Sequence, residues 1–364
     1  MDAAAMRSGA VRLDIGDPPF RLPDVLTEAL TAAVRDDSTH YVSGYGTLAF
    51  RTAAAEKLSR VNGLDTNPES IVATHGATQG IFAALSVLTR PGDRILLPNP
   101  AWPNYRTMAK SLDLDIIYYD TYRPNDRGWE HRLEAILQRR PRVTIWNNPS
   151  NPTGVSTPTN KITDVESLIS SLSDYVVADD CYDELSPSPQ RQLHASNLVR
   201  CFSLSKTHAM TGLRLGYLTA APDISRLVAA YQESTLACVN SSVQAMGCVA
   251  LGQDWAHIDQ FSHHYRSSQA AAEAVVDLYP GITVEGSGAM FSWVHVPDTT
   301  VGTVKGCLRL LDETNVALVP GSSFGTGHEE YFRVAHSAPL DSVPEAMHTV
   351  CKYLTQLRED PSQT

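Results

Sequence analysis

The sequence predicts an α/β fold: a large domain built on a mostly parallel sheet, with a smaller α+β domain built from the chain ends. Two observations carry this. Short apolar strands alternate with helical patterns from about residue 93 to residue 206, the rhythm of strand–helix–strand units. After about residue 255 that rhythm gives way to a long helical stretch, short strands and a final amphipathic helix. A chain of 364 residues is also too long for one small core. The expected division is 41–255 for the large domain, with 1–40 and 256–364 forming the small one. The first 40 residues show no strong sheet pattern and are placed with the small domain.

The elements follow in order. Gly76-Ala77-Thr78-Gln79 opens a helix expected to begin near residue 79. Asp93-Arg94-Ile95-Leu96-Leu97 reads as a buried strand, ended by Pro98-Asn99-Pro100. Asp115-Ile116-Ile117-Tyr118-Tyr119 is another, and Val143-Thr144-Ile145-Trp146 a third that runs into a loop at Asn147. Thr163 and Glu166 have the spacing of a capping box. Val165, Leu168, Ile169 and Leu172 then recur on one helical face. Tyr175-Val176-Val177-Ala178 is the next strand and delivers Asp179; Val199-Arg200-Cys201-Phe202 delivers Ser203 to Lys206. Further on come a helix from Trp255 to Leu278, a strand from Ala289 to Val296, and a last helix carrying Val343, Met347, Val350 and Leu354. Sheets of this kind bind ligands beyond the carboxyl ends of their strands, where the polar residues fall.

Composition narrows the function classes. The formal net charge of −11 argues against nucleic acid and anionic membranes as partners. The six cysteines form no C-x-x-C pair and read as reduced thiols rather than a secreted disulfide framework. The twelve histidines show no metal-ligand spacing, so no metal is expected. The N-terminus lacks the apolar core of a signal peptide, and no run of about 18 apolar residues suits a membrane span. The cytoplasm is the expected location.

The chemistry concentrates at Ser203-Leu204-Ser205-Lys206, with Arg214 following inside Gly212-Leu213-Arg214-Leu215-Gly216. A lysine among small residues in an apolar stretch is in the setting where an amine loses its proton and becomes a nucleophile. Three more segments stand at strand exits or a helix start: Asn147-Asn148-Pro149-Ser150-Asn151-Pro152-Thr153-Gly154, Asp179-Asp180-Cys181-Tyr182, and Gly76-Ala77-Thr78-Gln79. Taken singly, each residue has a bland reading: Asp179 as a helix cap, Trp102 as core, Arg214 or Arg333 in an ordinary salt bridge. The joint pattern is what reverses that.

Together these segments resemble the fold-type I pyridoxal 5′-phosphate (PLP) enzymes of the class I/II aminotransferase family, from Leu13-Asp14-Ile15-Gly16-Asp17-Pro18 to Arg333. The resemblance implies a seven-stranded sheet and PLP as the cofactor. It implies that Lys206 holds the cofactor aldehyde as a Schiff base and later moves the substrate α-proton. Asp179 pairs with the ring nitrogen, Tyr182 and Asn151 donate to the phenolic oxygen, and Trp102 stacks on the ring. The phosphate falls to the backbone at Ala77 and Thr78, to Ser203, Ser205 and Arg214, and to Tyr41 of a neighbouring copy, which implies a homodimer. Arg333 grips the substrate α-carboxylate, with Asn151 beside it and the backbone near Gly16 closing over it. No second arginine can be placed in the pocket to select dicarboxylates.

The sequence departs from the family pattern at His75, at Ala77, at Asp180 where glutamate is common, and at Cys181 where a small or branched apolar residue is common. The leading expectation is an aminotransferase acting on an amino acid and a 2-oxo acid. The alternatives are elimination, cyclisation, condensation or oxidation on the same cofactor, and a non-catalytic PLP-binding sensor.

Overall fold

The computed structural model describes residues 9–124, 126–186, 195–252 and 255–359. The outermost parts of the expected small domain, 1–8 and 360–364, lie outside them. After a short strand, β1 (Val11–Arg12), seven strands build one sheet. They are β2 (Ile71–Thr74), β3 (Arg94–Asn99), β4 (Asp115–Asp120), β5 (Val143–Asn147), β6 (Tyr175–Asp179), β7 (Leu198–Ser203) and β8 (Gly216–Thr219). Their order is β2-β8-β7-β6-β5-β3-β4. Strands β3 to β7 run parallel, and β8 is antiparallel to both β2 and β7.

Both faces of this sheet are covered, which is why its strands read as continuous apolar runs. Ile95, Ile145, Val177 and Val199 point into one core, under the helices Gly76–Leu88 and Pro222–Leu236. Their neighbours Leu96, Trp146, Val176 and Leu198 point into the other, under Trp129–Leu137 and Ile162–Leu172. The five parallel strands end in Asn99, Asp120, Asn147, Asp179 and Ser203, so one edge of an apolar sheet carries a row of polar residues.

A smaller body follows. Strands β9 (Thr283–Gly288), β10 (Phe291–His295), β11 (Val316–Ala317), β12 (Val319–Pro320) and β13 (Tyr331–Ala335) complete the set. Four of them form an antiparallel sheet, β12-β13-β10-β9, and β11 pairs in parallel with β1. The helix Ser342–Glu359 covers it, with Val343, Met347, Val350 and Leu354 all at 0% exposure beside Phe332 and Val334. No helix among the described residues is long and apolar enough to cross a membrane.

Four expectations change. The helix Gly76–Leu88 opens upstream of residue 79, because the Gln79 side chain reaches back to accept from the His75 N–H at 3.1 Å. Thr163 and Glu166 form no capping box: Thr163 sits inside the helix Ile162–Leu172, which has no side-chain cap. Glu166 turns into the core and accepts from the buried Arg200 guanidinium at 2.5 Å, a stronger partner than a solvated N–H. The strand expected at Ala289–Val296 is the second arm of a hairpin, with Ala289 in the turn at φ +46°. Of the first 40 residues, Leu13 joins the small-body core, but the helix Asp24–Arg35 packs on Ser241–Leu251 and buries Leu26 beside Phe50 and Met246 of the large body.

Candidate active site

The polar edge of the large sheet faces the small body across a cavity of about 250 Å3. Every site residue expected from the sequence lines it except Tyr41. Tyr41 is 87% exposed and outside this lining.

The cavity is organised by one chain of hydrogen bonds between the two bodies. At the end of β6, the Asp179 carbonyl accepts from Asn147 Nδ2 at 3.0 Å. Asn147 Oδ1 accepts the Asn151 N–H at 2.8 Å, which fixes the loop after β5. Asn151 Oδ1 then accepts from Arg333 Nη1 at 2.9 Å, and Arg333 Nη2 donates to the Asp14 carbonyl at 2.7 Å. Arg333 comes from β13 and lies over the rings of Phe291 (4.5 Å) and Phe324 (5.1 Å). Burial lowers its pKa to about 10, so it remains a cation near neutrality. Its Nε has no partner among the described residues.

Lys206 follows β7. Its Nζ donates to the Gly16 carbonyl and to no carboxylate among the described residues. Burial lowers its pKa from the ordinary lysine value, and the charges of Arg333 and Arg214 push the same way. Asp179 is buried, with Tyr105 donating its hydroxyl to Oδ2 and Cys181 donating its N–H to Oδ1 at 3.3 Å. Tyr182 packs edge-on against Phe291.

The far end of the cavity suits an anion. Ala77 and Thr78 stand at the start of the helix Gly76–Leu88, where unpaired N–H groups and the helix dipole favour negative charge. Gly76 holds φ +71°, and a Cβ there would sit 2.8 Å from Arg214 Nη2. Arg214 itself is left-handed, at φ 55° and ψ 52°, and is braced by the carbonyls of Thr211 (2.6 Å) and His75 (3.3 Å). Ser203 and Ser205 complete this end, the former accepting the Ser205 N–H at 3.1 Å. His75 contributes backbone groups only; its side chain does not line the cavity.

The family profile for aminotransferase class I and II matches residues 8–350. The chain belongs to this family. The aspartate aminotransferase of Pyrococcus horikoshii is 26% identical over 362 residues, covering 97% of this chain and 93% of that protein. Aromatic-amino-acid aminotransferase 2 of Thermococcus litoralis is 26% identical over 366 residues, covering 98% of this chain and 94% of that protein. The crystal structure of the aromatic aminotransferase from Pyrococcus horikoshii superposes with a TM-score of 0.88 at 25% identity, covering 98% of this chain and 99% of that one. The aminotransferase is therefore a PLP-dependent enzyme that moves amino groups between amino acids and 2-oxo acids.

The aminotransferase's lining fits that cofactor. It offers hydroxyls, an arginine and a helix start for a phosphate, in a cradle that a side chain at Gly76 would fill. It offers a buried carboxylate for a ring nitrogen and an amine of lowered pKa for an aldehyde. The cations in the lining are Lys206, Arg214 and Arg333. Sequence reading gave no role to Tyr105, Phe291 and Phe324, nor to Asn147, although Asn147 opens one of the motifs it singled out. Tyr105 also left a signal: it falls three positions after Trp102, one helical turn on, and the two rings meet edge-on at 5.3 Å.

Proposed function

We propose that Lys206 is the proton carrier of this aminotransferase and Arg333 its substrate anchor. The observation that carries the reading is a half-buried amine, free of any carboxylate partner among the described residues, sharing one cavity with a buried guanidinium and a buried carboxylate. PLP, when bound, supplies an aldehyde and an electron sink. The Lys206 amine would hold the cofactor through its aldehyde. Nζ, uncharged more readily than an ordinary lysine, then takes the proton from the substrate α-carbon. Arg333 receives the α-carboxylate, Asn151 orients it, and the Gly16 backbone closes over it. Asp179 would pair with the ring nitrogen, Tyr182 and Asn151 with the phenolic oxygen, and Trp102 would stack on a ring face. Ala77, Thr78, Ser203, Ser205 and Arg214 hold the phosphate. Residues 41–255 carry the cofactor in this reading, joined by the helix Asp24–Arg35, with 256–364 and the segment around Leu13 as the part that closes on the substrate.

Two features support a wider assignment. Tyr41, exposed and outside its own cavity, suits a role at the phosphate of a second copy, so we read the enzyme as a homodimer with shared sites. The six cysteines are all free thiols, which suits the cytoplasm. The names of the relatives favour transamination over elimination, cyclisation, condensation or oxidation on the same cofactor, and over a sensor.

The deciding experiment is a spectral titration of the purified enzyme. A visible band bleached by borohydride, lost with one amino acid and restored by a 2-oxo acid, is the expected result. Release of ammonia or hydrogen peroxide without an acceptor would overturn transamination.

A further inference from the structure

Asp179 is a carboxylate whose charged form burial disfavours. It is 5% exposed, and desolvation pushes its pKa up from the ordinary range. Hydrogen bonds from two neighbouring residues oppose this. The Cys181 N–H donates to Oδ1 at 3.3 Å, and the neighbouring Cys181 thiol also acts to lower the carboxylate's pKa. The Tyr105 hydroxyl donates to Oδ2. Burial raises the pKa of Tyr105 and of Cys181 well above their ordinary values, so each keeps its proton and acts as a donor.

Tyr105 is also held in place. It is 1% exposed on the helix Pro103–Ser111, packed in the core that contains Ala77, Ile145 and Val177. Cys181 lines the cavity and stands at the position where the family pattern commonly has an apolar residue. An apolar side chain there would offer Asp179 no thiol.

We propose that Tyr105 and Cys181 are positioning residues, a pair of neutral donors that clamp the Asp179 carboxylate from the side away from the cofactor, fix its plane, and hold it as an anion toward the ring nitrogen. The inference rests on the pairing of Asp179 with that nitrogen. Removing a donor makes the carboxylate more basic, and it then competes with the ring for the shared proton. A ring nitrogen that has lost its positive charge no longer depresses the proton affinity of the nitrogen through which Lys206 holds the cofactor.

The test is a pH titration of the visible band of the holoenzyme, with the cofactor dissociation constant measured alongside. Tyr105→Phe is expected to raise the titration midpoint by about one unit and to weaken cofactor binding several-fold. Cys181→Ala should move the midpoint the same way by less, and Tyr105→His, which keeps a donor, should restore most of the shift. If Tyr105→Phe lowers thermal stability but leaves the midpoint and the dissociation constant unmoved, its role is packing and the proposal fails. Asp179→Ala separates the two levels. A midpoint that moves in Asp179→Ala but not in Tyr105→Phe sinks the clamp alone. A midpoint that moves in neither sinks the ring-nitrogen pairing and the clamp with it.

Discussion

Lys57 is buried and Lys206 half-buried, and both lie beside β7. Lys57 Nζ lies 5.4 Å from the centroid of the Phe202 ring, and Lys206 follows the strand's last residue, Ser203. For both, burial is the largest influence on the amine and acts to lower its pKa. The outcomes are opposite. Lys57 reaches Glu184 at 3.0 Å and Asp183 at 3.3 Å, and bonds Asn62 Oδ1 at 3.0 Å. Together with Tyr217, these two carboxylates outweigh desolvation and hold its pKa above the ordinary lysine value. Lys206 has a carbonyl where Lys57 has two carboxylates, and its pKa stays low. Burial does not make an amine reactive; burial without an acid does. Arg333 follows the same rule: its partners are an amide oxygen and a backbone carbonyl, so its charge is still available to a ligand.

The largest expected effect comes from removing the reactive member. Lys206→Ala should lower kcat by about 10⁴-fold or more, the scale of a lost proton carrier, while the thermal transition stays near wild type. Wild-type turnover in that variant would end the comparison. The opposite pattern is expected for Lys57→Met, which leaves the buried Asp183 and the half-buried Glu184 without their cation. Stability should fall by about 3–5 kcal/mol, read as a lower urea midpoint, while the folded enzyme keeps most of its turnover. A Lys57→Met protein as stable as wild type would show that the buried charge is not anchoring this segment.

These two lysines also mark what sequence could and could not disclose. Lys206, Asp179 and Asn151 were legible because each lies at a strand exit inside a contiguous motif, and a parallel sheet sends all such exits to one edge. The order of the chemistry is then local. Lys57 was not legible, because Asp183 and Glu184 are more than a hundred positions away and meet it only through tertiary packing. Tyr105 left a local signal beside Trp102, but its bond to Asp179 was hidden for the same reason: that partner is 74 positions on. Glu166 shows how a local rule loses. Its capping-box spacing was real, but a buried arginine offered a charged partner, and that bond won. The helix Asp24–Arg35 was misplaced because an amphipathic face does not say which core it will meet.

The smallest expected effect tests the comparison most directly. Asp17 is an exposed carboxylate whose charge raises the Lys206 pKa, a faint version of what Asp183 and Glu184 do to Lys57. It also accepts the Thr211 hydroxyl at 2.6 Å, a bond that an amide oxygen can keep. Asp17→Asn therefore removes the charge and leaves the contact. With less negative charge nearby, the ammonium form of Lys206 is disfavoured, so its pKa falls and the free amine persists to lower pH. Screening by solvent limits this to a few tenths of a unit, and added salt should shrink the difference between the two proteins. The measurement is the pH dependence of Lys206 condensation with an added aldehyde, trapped by borohydride and located by peptide mass. In Asp17→Asn the midpoint should move down. A midpoint that moves up would mean that the acid near this amine acts through structure rather than charge, and the distinction between the two lysines would have to be drawn on other grounds.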